Sequence, residues 1–175
     1  VDMILLVGSN PEEAHPVIGA QIRQAIQRGT QVVVVDPRKI NLVKDSALHL
    51  QVQAGTNVAF ANGMMHVILK EGLADRHFIE ERTEGFLDLE KMVADYTPEK
   101  VAEICHIHPE DLIQAARMYA KAEKAPIIYC LGVTEHSTGT EGVMSMSNLA
   151  MLVGKVGKPG CGVNPLRGQI GRASC

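Results

Sequence analysis

The chain has 175 residues, of which 46% are hydrophobic and 21% charged, and its formal net charge is −3. That is the balance of a single globular domain with length enough for its own core, and not of a disordered chain. Mild acidity and an aromatic content of 3% argue against a general nucleic-acid binder, which needs a basic face or a stacking platform.

Met3–Val7 is a continuous apolar run with Gly8 behind it. Gln31–Val35 is a second, closed by Asp36-Pro37. Continuous β-branched runs predict strands covered on both faces, as in parallel sheets. Between them Ile18, Ile22, Ala25 and Ile26 recur at helical spacing. Pro16 suits the first turn of that helix and Gly29 its end. Leu48–Val52 reads as a third strand. Thr56 then reads as an N-cap, Ala61, Met64, Met65 and Ile68 as one apolar helical face, and Gly72 as the stop. Residues 75–125 read as helical hairpins, with cap-then-proline starts at Thr97-Pro98 and His108-Pro109. Leu112, Ala116 and Tyr119 mark the buried face of the last helix. Pro126–Leu131 is a further strand, Gly132–Gly139 a loop, and Val143–Val153 a helix. From Gly154 onward, Gly157, Gly160, Gly162 and Gly168 with Pro159 and Pro165 predict no regular element. This alternation predicts an α/β fold: a doubly wound, mostly parallel sheet with helices on both faces, Rossmann-like, whose ligands sit at the carboxyl ends of the strands.

The longest apolar run is too short to span a bilayer. Residues 1–25 lack the basic head and apolar stretch of a signal peptide. The chain opens at Val1, directly before a strand and without an initiator Met, so we expect a piece of a longer polypeptide. Cys105, Cys130, Cys161 and Cys175 form no Cys-x-x-Cys pair, and the histidines show no metal-ligand spacing. No metal site is expected in this stretch. Scattered single cysteines fit a reducing compartment, and a cytoplasmic location is expected.

The strand ends carry the polar chemistry. Gly8-Ser9-Asn10-Pro11 either lets a phosphate approach the backbone or is a plain strand-to-helix turn. It is not Gly-x-Gly-x-x-Gly, so the NAD fingerprint fails. At Asp36-Pro37-Arg38 the carboxylate either takes two hydrogen bonds from a ribose diol or a guanine edge, with Arg38 toward a phosphate, or forms an Asp-Pro turn. Gly55-Thr56-Asn57 suits a base edge, or is simply a helix cap. Gly132-Val133-Thr134-Glu135-His136 puts three polar side chains after a glycine. In a doubly wound sheet these four ends are neighbours and line one crevice. The crevice suits a dinucleotide and holds no nucleophile–base pair.

At these residues the sequence resembles the molybdopterin oxidoreductases of the dimethyl sulfoxide reductase superfamily. The carriers are Gly8-Ser9-Asn10-Pro11-Glu12-Glu13-Ala14-His15-Pro16, Val35-Asp36-Pro37-Arg38 and Gly55-Thr56-Asn57. Two later segments are most similar to the catalytic alpha subunits of formate dehydrogenases: Gly132 through Thr140, and Gly154 through Gln169 with its Gly162-Val163-Asn164-Pro165-Leu166-Arg167-Gly168-Gln169. The likeness runs from Met3 to Gln169. It departs at Asn57, where the family often carries Asp, and at Glu135, where it often carries Gln. It stops at residues 170–175, a tail foreign to the family's pattern.

The resemblance implies a cofactor-binding α/β domain over residues 1–169, holding part of a bis-molybdopterin guanine dinucleotide with molybdenum or tungsten. It places Gly8, Asn10 and His15 by one dinucleotide's phosphates or ribose. It puts Asp36, Pro37, Arg38, Gly55 and Asn57 around the guanosine, and Leu131, Gly132, Glu135 and Gln169 near the other pterin. Arg167 matches the arginine beside the metal that binds formate. The family's metal-ligating cysteine or selenocysteine and its iron–sulfur cysteines have no counterpart here, so this stretch alone is expected to be inactive and to retain no cofactor. The implied partners are formate, the remaining domains of the alpha subunit and an iron–sulfur electron-transfer subunit, with no nucleic acid and no direct membrane contact. Two other readings stay open: a non-catalytic structural domain of a related respiratory-complex subunit, and a stand-alone nucleotide-binding module.

Overall fold

The computed structural model describes residues 1–167. In chain order the elements are β1 (Met3–Val7), α1 (Pro11–Ala14), α2 (Pro16–Gln27), β2 (Gln31–Val35), β3 (Leu48–Leu50), α3 (Asn57–Lys70), α4 (Arg76–Arg82) and α5 (Phe86–Val93). There follow α6 (Pro98–Cys105), α7 (Pro109–Lys121), β4 (Ile127–Tyr129), α8 (Leu131–Thr134), α9 (Gly139–Leu152) and β5 (Val163–Pro165). The described strands form one five-stranded sheet in the order β3-β2-β1-β4-β5, parallel at every pairing. The doubly wound expectation is met.

Period-two alternation sorts each central strand between two cores. Met3, Leu5 and Val7 of β1 join Val33 and Val35 of β2 in the larger core, under α3, α7 and α9. Ile4 and Leu6 join Val32 and Val34 in the smaller one, with Ile22 of α2 and Leu42. All five residues of β1 are buried, which is why the run reads as continuous rather than alternating. α3 is the central helix of the larger core. Its Phe60, Ala61, Met64, Met65 and Ile68 are fully buried. Each such large apolar side chain contributes about 1.5–3 kcal/mol relative to exposure. A Cβ on Gly63 would lie 2.9 Å from both Leu112 Cδ2 and Val101 Cγ2, so the glycine sets how closely α6 and α7 approach α3.

The predicted caps meet mixed fates. Thr97 accepts from Lys100 N, 3.4 Å away, and caps α6. Thr56 occupies the N-cap position of α3 but donates its hydroxyl to the Gln53 carbonyl instead, 2.7 Å away. Two expectations need correction. Gly132–Gly139 is not all loop, because α8 occupies its start: Glu135 N bonds back to Leu131 O at 2.8 Å and closes a short turn. The stretch after Gly154 does hold a regular element, β5. It is three residues long, ends in proline and lies at the sheet edge, where a missing N–H costs no ladder bond. Leu48–Val52 and Pro126–Leu131 shorten to β3 and β4, and the helix expected over Val143–Val153 spans Gly139–Leu152. Among the described residues no helix is long and apolar enough to cross a membrane.

One buried charge stands out. Lys155 is 4% exposed; its Nζ donates to Ala120 O at 3.3 Å and lies 5.3 Å from the centre of the Tyr119 ring. Burial pushes the Lys155 pKa below its ordinary value of 10.5. Burial likewise pushes up the Tyr119 hydroxyl, which has no partner among the described residues. A depressed lysine pKa means that the unfolded chain binds more protons between the folded value and 10.5, so Lys155 makes stability rise with pH across that window. Lys155→Met should therefore leave stability at neutral pH unchanged or raise it by about 1 kcal/mol. It should also flatten the alkaline rise. Urea titrations at several pH values check both.

Candidate functional site

The chain leaves β1 toward β2 and β3, then returns to lay β4 and β5 on the other side of β1. The order reverses between β1 and β4, and in open α/β sheets ligands bind outside the carboxyl ends at this junction. Gly8 ends β1 there with φ +54°, and Gly132 follows β4. Gly132 N donates to Gly8 O at 3.1 Å, while Gly8 N reaches back to Val35 O at 2.9 Å. A Cβ on either glycine would fall 2.7 Å from the other's backbone. No larger residue fits this contact without moving the strand ends.

A cleft of about 400 Å³ opens above the glycine pair. That volume is in the range of small-ligand sites. Gly8, Asn10, Asp36, Pro37, Arg38, Gly55, Asn57, Leu131 and Gly132 all line it. His15, Glu135 and Arg167 do not: His15 is half-buried, and the other two are exposed. Gln169 and residues 170–175 lie outside the described residues. A larger groove of about 720 Å³ lies elsewhere, between the start of β2 and the exposed side of α7, and gathers none of the predicted residues.

The polar atoms of the cleft are unevenly satisfied. Asp36 is 3% exposed, and its Oδ1 accepts from Arg38 N at 2.8 Å, with Arg38 Nε 3.6 Å away. The Asp-Pro turn is thus real, and the buried Asp36 lies among the residues that line the cleft. The Arg38 side chain is 67% exposed and reaches outward. Asn57 Nδ2 donates to Gly132 O at 3.0 Å, tying the start of α3 to α8. Gly55, at φ +88°, has open space where a Cβ would point, so a ligand can meet backbone there. Ser9 Oγ and Asn10 Oδ1 are buried, and neither has a partner among the described residues. An orphaned buried polar atom costs about 1–3 kcal/mol, and ligand hydrogen bonds at these atoms would remove that cost. The helix after the first turn, α1, is four residues long and carries Glu12 and Glu13, so it is poorly built to cradle a phosphate.

Cys130, which the sequence reading passes over as part of a strand, also lines the cleft, as do Ser9 and His136 of the strand-end segments. Ser9 sits between two residues that were singled out, and Cys130 directly precedes Leu131. Their positions just past strand ends were the available signal. His136 Nε2 lies 3.1 Å from Gly132 O, so it has a backbone partner that the sequence could not name. Among the described residues, no group of three His, Cys, Asp or Glu side chains is placed to hold a metal ion.

Comparison with known proteins adds independent findings. The family model for molybdopterin oxidoreductases matches residues 1–174. The F420-dependent formate dehydrogenase subunit alpha of Methanocaldococcus jannaschii is 48% identical over 96% of this chain and 25% of its own length. Formate dehydrogenase H of Escherichia coli is 43% identical over 96% of this chain and 24% of its own length. Acetylene hydratase from Pelobacter acetylenicus, a solved structure, superposes with a TM-score of 0.86 at 27% identity, covering 91% of this chain and 22% of that one. The chain therefore spans about a quarter of the length of the curated relatives it matches.

The glycine contact and the Asn57 tie give separable outcomes. Gly132→Ala drives a Cβ against the Gly8 backbone and should lower stability by about 1–3 kcal/mol. Asn57→Ala loses one hydrogen bond and should cost about 1 kcal/mol. Thermal denaturation of the two variants checks the order.

Proposed function

The chain belongs to the molybdopterin oxidoreductase family, and on that premise we propose that it is the guanine-dinucleotide-binding α/β domain of a formate dehydrogenase alpha subunit. Membership of the family implies a molybdopterin cofactor carrying molybdenum or tungsten. The domain corresponds to residues 1–169. The observation that carries the reading is the convergence of Gly8, Asn10, Asp36, Gly55 and Asn57 on one cleft at the strand-order reversal.

The residues present fit one nucleotide arm of the cofactor. Asn10 Oδ1 is a buried acceptor without a donor among the described residues, and a ribose hydroxyl or a base amine would satisfy it. Asp36 uses Oδ1 in its own turn, leaving Oδ2 to accept from a guanine N–H or a ribose hydroxyl. Gly8, Gly55 and Gly132 keep side chains out of the approach. Arg38, exposed at the rim, supplies positive charge for a phosphate. Leu131, in the same cleft, and Glu135, just after α8, are the residues proposed to approach the second pterin.

When bound, the cofactor supplies the two-electron redox chemistry that takes formate to carbon dioxide. Arg167 binds and orients the substrate. Its guanidinium is always charged and grips a carboxylate bidentately, a geometry lysine cannot copy. Formate, the remaining domains of the alpha subunit and an iron–sulfur electron-transfer subunit are the proposed partners. The metal-ligating residue belongs to a part of the polypeptide beyond this stretch.

Calorimetric titration with GMP and GDP, with NAD as control, tests the reading. Guanine nucleotides should bind, and Asp36→Ala should weaken them by about tenfold, the equivalent of one charge-assisted hydrogen bond. NAD should give no heat. Preferential NAD binding would overturn the assignment of the cleft.

A further inference from the structure

Arg167 stands in a glycine-rich segment, and little in that sequence says how its backbone is held. The structure supplies three ties. Leu166 N donates to Tyr129 O at 2.8 Å, extending the pairing of β4 with β5. The Cys130 thiol donates to Leu166 O at 2.7 Å. His15 Nε2 lies 3.2 Å from the carbonyl oxygen of Arg167 itself. The first two join residue 166 to its neighbouring strand and the residue after it. The third spans 152 positions and comes from the junction of α1 and α2.

His15 is well placed to hold another segment. Its own N–H donates to Pro11 O and its carbonyl accepts from Gly19 N, each at 2.9 Å, so backbone fixes it between α1 and α2. A Cβ on Gly19 would lie 2.9 Å from Glu12 Cα, so the two helices close tightly around the histidine. A carbonyl oxygen only accepts, so Nε2 carries the proton and, in the neutral ring, Nδ1 keeps its lone pair. Nδ1 is buried without a partner among the described residues. Imidazolium would donate from Nε2 as well, so the tie does not depend on the charge of His15. The ring lies outside the cleft that gathers Asn10 and Asp36.

We propose that His15 is a positioning residue: through Nε2 it holds the Arg167 backbone and so sets where the formate-binding guanidinium begins. This rests on the formate reading given above, in which Arg167 grips the carboxylate. It joins the junction of α1 and α2 to the substrate-binding segment. The resemblance set His15 against phosphate or ribose. In the structure its Nε2 faces the arginine segment instead, and Nδ1 is what remains for a cofactor contact.

The test uses the full-length protein that carries this chain, with His15→Met and His15→Gln. Methionine keeps the bulk but has no donor. Glutamine's amide reaches about as far as Nε2 and can donate to a carbonyl. Should His15→Met fail to accumulate, His15→Ala takes its place. The first readout is amide hydrogen exchange at Leu166, whose N–H bonds to Tyr129 O, before cofactor loading, which is independent of activity. His15→Met should exchange about tenfold faster there, and His15→Gln should stay near wild type. The second readout is steady-state formate oxidation. His15→Met should raise KM by about tenfold with cofactor content unchanged, and His15→Gln should restore most of it.

Unchanged exchange in His15→Met would overturn the proposal. So would equal acceleration in both variants, which would make the role one of packing. Unchanged exchange with a loss of cofactor content would make His15 a cofactor contact. If the wild-type protein does not oxidise formate, the formate reading fails, and the exchange data still decide whether His15 holds Arg167.

Discussion

Gly8 and Gly132 meet backbone to backbone at the junction of β1 and β4, and the site is arranged around that contact. The hydrogen bond from Gly132 N to Gly8 O links the two halves of the sheet exactly where their winding reverses. Because neither residue has a side chain, the strand ends close together and the cleft above them has a floor of main chain. Asn57 then reaches from α3 to the Gly132 carbonyl and locks the second half of the sheet to the helix beneath it. A ligand in the cleft meets main-chain amides and carbonyls at that floor, with the side chains of Asn10, Asp36 and Arg38 among those lining the rest.

The contact can be this close because the sheet beneath it is rigid. β1 is buried on both faces, and its alternate residues belong to two separate cores. A strand pinned from both sides holds its end still. The same parallel geometry brings the ends of β2 and β3 alongside, so that Asp36 and Gly55 face the pair of glycines. Fold and site share one cause: parallel strands end together, and their loops share one edge.

The polar groups of the cleft divide into those serving the protein and those left for a ligand. Asp36 Oδ1 and Asn57 Nδ2 are engaged within the chain. Ser9 Oγ and Asn10 Oδ1 are buried without partners among the described residues. Leaving acceptors and hydroxyls unpaired in a folded chain is unfavourable, and it is tolerated where a bound group completes them. The last described residues are held from across the sheet, with Tyr129, Cys130 and His15 all bonding to residues 166 and 167. Residues 166 and 167, the end of β4 and the junction of α1 and α2 are therefore joined by hydrogen bonds.

Much of the fold was legible in the sequence, because burial on both faces writes itself as uninterrupted apolar runs. Met3–Val7 and Gln31–Val35 are strands over those same residues, and Ala61, Met64, Met65 and Ile68 form the buried face of α3. The polar residues past each strand end were legible too, since a parallel sheet must collect them on one edge. Short elements were not. α8 and β5 carry too few residues for a period to show, and both depend on partners far away: Gly8 for the first, Tyr129 for the second. Local chemistry likewise left open whether Asp36 turned the chain or faced a ligand. The sequence by itself determined the layered α/β sheet and which residues share its upper edge, because hydrophobic period and turn chemistry are local properties. Only the tertiary structure decided that Asn57 ties to Gly132, that Ser9 and Asn10 keep atoms unpaired among the described residues, and that His15 Nε2 meets the Arg167 carbonyl. Those pairings span up to 152 positions, and nothing local encodes which distant backbone group a side chain will meet.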